Sequence, residues 1–138
     1  PGRSPSAAVG IAQSAIDYSV DYAKGRICFG APIAKLQAIQ FMLADMQIQT
    51  QAARSLVYGA AEMVDNNIRP YPEICAAAKC FAGDVAMKVT TDAVQIHSGY
   101  GYMRDYPVEK LMRDAKLFQI FEGTNQIQRV VVAGSMLK

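Results

Sequence analysis

From Ile33 to Met63 one set of side chains recurs at nearly every third or fourth position: Ile33, Leu36, Ile39, Leu43, Met46, Thr50, Ala53, Leu56, Val57, Ala60 and Met63. Such spacing gathers these residues on one face of an α-helix. The block opens at Pro32, runs to about Asp65, and is stopped by Asn66, Asn67 and Pro70. At 1.5 Å per residue the predicted rod is about 50 Å long. A rod of that length cannot bury its stripe alone. The rest of the chain must supply helices along it, which predicts a bundle.

The remaining blocks carry the same period. Ser4 and Pro5 read as an N-cap and first-turn pair, followed by Val9, Ile11, Ala12, Ile16, Val20 and Ala23 to about Lys24, with Gly25 as a terminal glycine. A third helix begins near Pro72 with Ile74, Ala77, Ala78, Phe81, Val85, Val89, Ala93 and Ile96 in phase. It ends at His97-Ser98-Gly99-Tyr100-Gly101. A short helix covers Val108 to about Lys116. A last one starts near Gly123 and carries Ile127, Val130, Val131 and Met136. No alternating strand competes. The fold class is therefore all-α, an up-and-down bundle of four main helices plus a short one, forming one domain over residues 1–138.

Composition narrows the function classes. Half of the residues are hydrophobic (51%) and 19% are charged, which suits a packed core and argues against disorder. No apolar run reaches the roughly 18 residues of a membrane span. Net charge is +2 and the cations are scattered, so no basic patch points to nucleic acid. Cys28, Cys75 and Cys80 fit neither a metal spacing nor a disulfide framework, and read as buried thiols in a reducing compartment. The opening Pro-Gly-Arg-Ser-Pro-Ser has a linker composition, as at the start of a fragment.

Periodicity alone does not name a chemistry. The single histidine, His97, reads first as a structural or surface residue. Gly99-Tyr100-Gly101 is too short for a phosphate loop and reads as a helix end. Glu122, beside Phe118, Ile120 and Phe121 and ahead of a helix, allows two readings. It is a carboxylate favoured by the helix dipole, or a desolvated base with Gly123 leaving room for a ligand.

Longer motifs resolve the question. Asp92-Ala93-Val94-Gln95-Ile96-His97-Ser98-Gly99-Tyr100-Gly101-Tyr102, then 105–116, then Gln119-Ile120-Phe121-Glu122-Gly123-Thr124-Asn125-Gln126-Ile127-Gln128-Arg129, resemble the C-terminal signature of the acyl-CoA dehydrogenases. Upstream, Tyr22-Ala23, Arg26, Phe29-Gly30-Ala31-Pro32-Ile33 and Gln37 resemble a second segment of the family. The likeness runs from about Gly10 to the end of the chain.

The resemblance implies FAD-dependent α,β-dehydrogenation of a short- or medium-chain acyl-CoA to the trans-2-enoyl-CoA, with electrons leaving to an electron-transfer flavoprotein. Glu122 takes the position of the catalytic base, and its main-chain N–H that of a donor to the thioester oxygen. Arg26 resembles the arginine on the FAD pyrophosphate of a neighbouring subunit. Phe29 and Gln37 resemble residues near the adenosine half. Gln95, Ile96, His97, Ser98 and Gly99 resemble the segment along the pyrophosphate and ribose. Thr124 and Gln126 resemble residues on the subunit's own FAD, and Gly123 a position beside the acyl-CoA.

Two departures stand out. The family usually has Gly-Gly where this chain has Ser98-Gly99, and Arg3 lies two residues too close to Gly10 to match the arginine preceding the first helix. The resemblance further implies a homo-oligomer, dimer or tetramer. It implies that an N-terminal helical domain and a middle β-domain precede this part, so the isolated domain is expected to be inactive. The compartment is the bacterial cytoplasm or the mitochondrial matrix, the cytoplasm preferred. An acyl-CoA oxidase and a catalytically silent oligomerisation module are the alternatives.

Overall fold

A computed structural model describes residues 3–69 and 71–138. The helices are α1 (Arg3–Gly25), α2 (Gln37–Asp65), α3 (Tyr71–His97), α4 (Val108–Phe118) and α5 (Asn125–Met136). A two-residue strand pair, β1 (Ile27–Cys28) and β2 (Ala31–Pro32), lies between α1 and α2. The all-α bundle expected from periodicity is what the chain forms.

Helix α3 is the centre. It packs against α1, α2, α4 and α5. Ala76, Ala78, Ala82, Gly83, Ala86 and Ala93 are buried along it, and small side chains let neighbouring backbones come close. Against them α1 sets Ala8, Ala12, Ala15, Ile16 and Ala23, and α2 sets Met46, Ala53, Val57 and Ala60. These are mostly the stripe residues of the sequence. The end of α2 also follows expectation. Asn67 is left-handed (φ 53°), Ile68 N–H bonds to Met63 C=O at 2.8 Å, and Asn67 N–H to Val64 C=O at 3.1 Å. That pairing closes a Schellman motif. Pro70, the other expected stop signal, lies outside the described residues.

Several expectations are corrected. Helix α2 begins at Gln37, not Pro32. Ile33–Lys35 form a single 3₁₀ turn, and Leu36 is extended (ψ 123°), so the rod is about 43 Å rather than 50 Å. Phe29 and Gly30 cause this, since their positive φ values (54° and 79°) make the two-residue hairpin turn that precedes it. Ser4 sits inside α1 rather than capping it, and Pro5 is tolerated in the first turn, where N–H groups lack partners anyway. Gly25 is the last residue of α1 and is not left-handed. Cys80 is buried, but Cys28 and Cys75 are only half-buried. Phe81 is exposed. So are Ile127, Val130, Val131 and Met136 of α5, whose apolar stripe does not enter this core.

After α3 the chain turns through a 3₁₀ segment (Ser98–Tyr102). Gly101 is buried there, and a Cβ on it would come within 2.5 Å of the Val94 carbonyl and 2.8 Å of the His97 Cβ. A Cβ on Gly99 would meet nothing within 4 Å. Gly101→Ala is therefore expected to destabilise the fold by about 1–3 kcal/mol through forced backbone movement, while Gly99→Ala stays within about 0.5 kcal/mol. Thermal unfolding of the two variants side by side measures the contrast.

Candidate functional site

The first candidate region is the loop from Gln119 to Thr124, between α4 and α5. Glu122 (φ 53°) and Gly123 (φ 86°) are consecutive left-handed residues. For a glutamate that backbone costs on the order of 1 kcal/mol, so its surroundings must hold it there. On one side, the Phe118 and Phe121 rings meet edge to face at 5.3 Å and join the core. Gly83 lets the chain lie against α3, because a Cβ there would stand 3.0 Å from the Phe118 carbonyl. On the other side, Thr124 caps α5 by accepting the Ile127 N–H at 3.3 Å.

A polar network on α3 completes the anchorage. Buried Lys79 donates to the Gly123 carbonyl at 2.6 Å and to Asn125 Oδ1 at 2.9 Å. Asn125 Nδ2 donates to the Cys80 carbonyl and to Asp84 Oδ1. Gln119 and Arg129 also donate to Asp84, at 2.7 and 2.6 Å. Burial pulls the Lys79 ammonium below the ordinary lysine range, against the attraction of Cys80, Glu122 and Asp84. Burial alone would raise Asp84, but the hydrogen bonds from Arg129, Asn125 and Gln119 outweigh it and hold the carboxyl below its ordinary value. Periodicity and motif gave no role to Lys79, Asp84 or Asn125.

Glu122 itself is exposed. The expected desolvation by Phe118, Ile120 and Phe121 is not found within this chain. Both aromatic rings are committed to the core, and Ile120 is itself exposed. Thr124 and Gln126 line a polar groove of about 450 Å³ with Asp84, Gln119 and Arg129.

The second candidate region lies at the far end of α3. An open groove of about 610 Å³ is bounded by Arg26, Phe29, Gln95, Ile96, Ser98 and Gly99, over an apolar floor that includes Ile33 and Ile39. Six sequence-predicted residues thus share one cavity. Gln37 and His97 do not line it. Gln37 is exposed at the start of α2, next to Leu36 on the groove wall. His97 is 2% exposed, bonds through Nδ1 to the Ala93 carbonyl at 2.9 Å, and stacks on Tyr22 at 4.2 Å. Its side chain supports the wall from behind. Burial lowers its pKa, only partly offset by that bond.

Ser98, where glycine was expected, is left-handed (φ 56°), which is the physical reason a glycine suits the position. Phe29 is 97% exposed. Arg26 lies 5.3 Å over the Tyr100 ring, and among the described residues no carboxylate forms a salt bridge with it.

The two regions do not meet within one chain. Lys79 and His97 are roughly 27 Å apart along α3 at 1.5 Å per residue.

Known proteins share this architecture. The family model described as acyl-CoA dehydrogenase, C-terminal domain, matches residues 3–137. The short-chain-specific acyl-CoA dehydrogenase of Megasphaera elsdenii is 51% identical over 131 residues, covering 95% of this chain and 34% of that protein. The solved butyryl-CoA dehydrogenase of the same organism superposes with a TM-score of 0.95 at 50% identity, over 98% of this chain and 35% of that one. A chain of a structure concerning the electron transferring flavoprotein of Acidaminococcus fermentans gives a TM-score of 0.94 at 54% identity, with 98% and 35% covered. The chain spans about a third of the length of the curated relatives it matches.

A buried neutral histidine has a pH signature. The folded-state pKa of His97 lies below the unfolded value of 6.5, so the unfolded chain takes up the proton first as pH falls. This contribution is complete above about pH 6.5 and is lost as pH drops through the folded-state value. Replacing His97 with Phe is expected to flatten the fall in melting temperature between about pH 7 and 5. Identical slopes in the two proteins would contradict the assignment.

Proposed function

The chain belongs to the acyl-CoA dehydrogenase family, as its C-terminal domain, and from that premise we propose that Glu122 is the base removing the α-proton of an acyl-CoA thioester. The observation that carries this reading is the strained, heavily anchored Glu122-Gly123 turn. Anchoring of this kind fixes one carboxylate against a substrate, and positioning of the base is a large part of proton-transfer catalysis.

The mechanism assigns each group a task. The Glu122 carboxylate accepts the α-proton. Its main-chain N–H donates to the thioester oxygen, which lowers the energy of the charge developing there. Gly123 adopts the left-handed backbone beside the base, and a Cβ there would meet the Gln128 amide at 2.7 Å. The exposure of Glu122 in this chain leaves the rest of the pocket to the N-terminal helical and middle β-domains, which we propose precede residue 1. The relatives' greater length supports this. Closure by those domains removes water from the carboxylate.

FAD, when bound, supplies the acceptor for the β-hydride. The far groove fits its nucleotide half. Among the described residues Arg26 has no carboxylate partner, and it suits the pyrophosphate; Phe29 offers a ring, and Gln95, Ile96, Ser98 and Gly99 border a floor with room at Gly99. Thr124 and Gln126 would help hold a second FAD, the subunit's own. Gln37 and the His97 main chain complete the set.

Because the two regions are spaced along α3 and do not meet, one chain serves two cofactors, and the assembly is a homo-oligomer. The exposed Ile127, Val130 and Val131 of α5 supply an apolar surface for it. The butyryl-CoA dehydrogenase likeness favours a short-chain acyl-CoA, and the Acidaminococcus likeness favours an electron-transferring flavoprotein as the acceptor. The bacterial relatives favour the bacterial cytoplasm over the mitochondrial matrix.

In the full-length enzyme, Glu122→Gln should slow flavin bleaching by butyryl-CoA at least about a hundredfold while assembly and flavin content persist. Bleaching at the normal rate would remove Glu122 as the base. Val130→Glu on the α5 face should dissociate the oligomer, read by sedimentation velocity. An unchanged sedimentation coefficient would exclude that face from the interface.

A further inference from the structure

Lys79 lies in phase with the buried small residues of α3, between Ala78 and Ala82 on a helix that is otherwise apolar there. It is only 7% exposed. Its ammonium makes no salt bridge among the described residues, and two of its hydrogen bonds go to the Gly123 carbonyl and the Asn125 side chain. Both acceptors lie at the N-terminal end of α5, where the helix dipole disfavours a cation. An apolar side chain of similar volume would fill the same space but leave the Gly123 carbonyl and the Asn125 side-chain oxygen without this donor. The cation therefore needs a reason other than packing.

That reason is the Glu122 turn. The turn is strained, and its carbonyls have few other partners. Gln128 Nε2 reaches the Glu122 and Gly123 carbonyls only at 3.2 and 3.4 Å, from the exposed side. The 2.6 Å charge-assisted bond from Lys79 is the short one, and it comes from the core. It fixes the Gly123–Thr124 peptide, one peptide beyond Glu122, the residue that must meet the substrate. A base displaced by about 1 Å can lose on the order of a hundredfold in rate, so a rigid tether here has kinetic value.

We propose that Lys79 is a positioning residue for catalysis: by tethering the Gly123 carbonyl and Asn125 to α3, its ammonium holds Glu122 in the left-handed backbone that presents the carboxylate to the acyl-CoA α-carbon. This rests on the reading of Glu122 as the base. Lys79 touches neither substrate nor flavin and acts through the turn.

The test uses the full-length flavin-bearing enzyme with butyryl-CoA, normalised to bound flavin. Lys79→Met keeps the stem volume and removes the tether. It should lower kcat about tenfold to a hundredfold, while KM stays within about threefold and flavin content is retained. A loss of packing alone would reduce the melting temperature and the flavin-bearing fraction without changing kcat per flavin. If Lys79→Met does not accumulate with flavin, Lys79→Gln, shorter and uncharged, carries the same test against the same thresholds. A kcat per flavin within about twofold of the parent overturns the proposal. Glu122→Gln measured alongside separates the two readings. An inactive Glu122→Gln with a fully active Lys79 variant sinks the positioning role alone, whereas an active Glu122→Gln sinks the base assignment beneath it.

Discussion

Every other helix of this chain leans on α3, and α3 can receive them because its buried positions are mostly alanine, glycine and valine. Small side chains allow close approach on more than one face. They leave little volume to spare, so side chains arriving from α1 and α2 must be of matching size. Ala15, Ala23 and Ala53 on those helices, all fully or almost fully buried, meet that demand. The same constraint operates at two places along α3. Gly83 admits the Phe118 carbonyl near its middle, and Gly101 folds back on Val94 and His97 at its C-terminal end. The two candidate regions are thus set by one rigid rod, and their separation is a property of its length.

That geometry explains why the sequence could name the residues without placing them. The stripe in α2 and the stop at Asn66-Asn67 were legible, because helix period and left-handed termination are local. The two-residue turn at Phe29-Gly30 was not. A phenylalanine with positive φ is poorly favoured on local grounds, and only the hairpin it closes makes the conformation understandable. This turn displaced the start of α2 from Pro32 to Gln37. The stripe in α5 misled for another reason. Its period is helical, but period does not say whether the apolar face meets this chain's core or another surface, and here it is left exposed.

The polar anchorage was the part least visible in sequence, though one signal existed. Lys79 falls on the buried side of α3, in step with Ala82 and Ala86, where an apolar residue is the default. A lysine there demands partners. Those partners lie more than forty positions downstream, at Gly123 and Asn125, where periodicity has no reach. Glu122 shows the opposite limit. Its neighbours in sequence are apolar, yet adjacency did not produce burial, because Phe118 and Phe121 spend their surface on each other and on the core. Covering that carboxylate is a task for surfaces other than these aromatic rings.

Backbone strain marks both candidate regions independently of the polar network. Among the described residues, four non-glycine positions have positive φ: Phe29, Asn67, Ser98 and Glu122. Asn67 has an ordinary explanation, since asparagine tolerates this conformation and closes a helix end. The other three gain nothing comparable from their side chains. Each costs on the order of 1 kcal/mol, in a fold whose total margin is only about 5–15 kcal/mol. All three lie in the two candidate regions, two beside the far groove and one at the anchored turn. Phe29 takes its conformation from the hairpin it closes, which leaves Ser98 and Glu122 without a turn of that kind to explain theirs. The buried tether from Lys79 secures the turn of Glu122, the strained residue proposed above as the base.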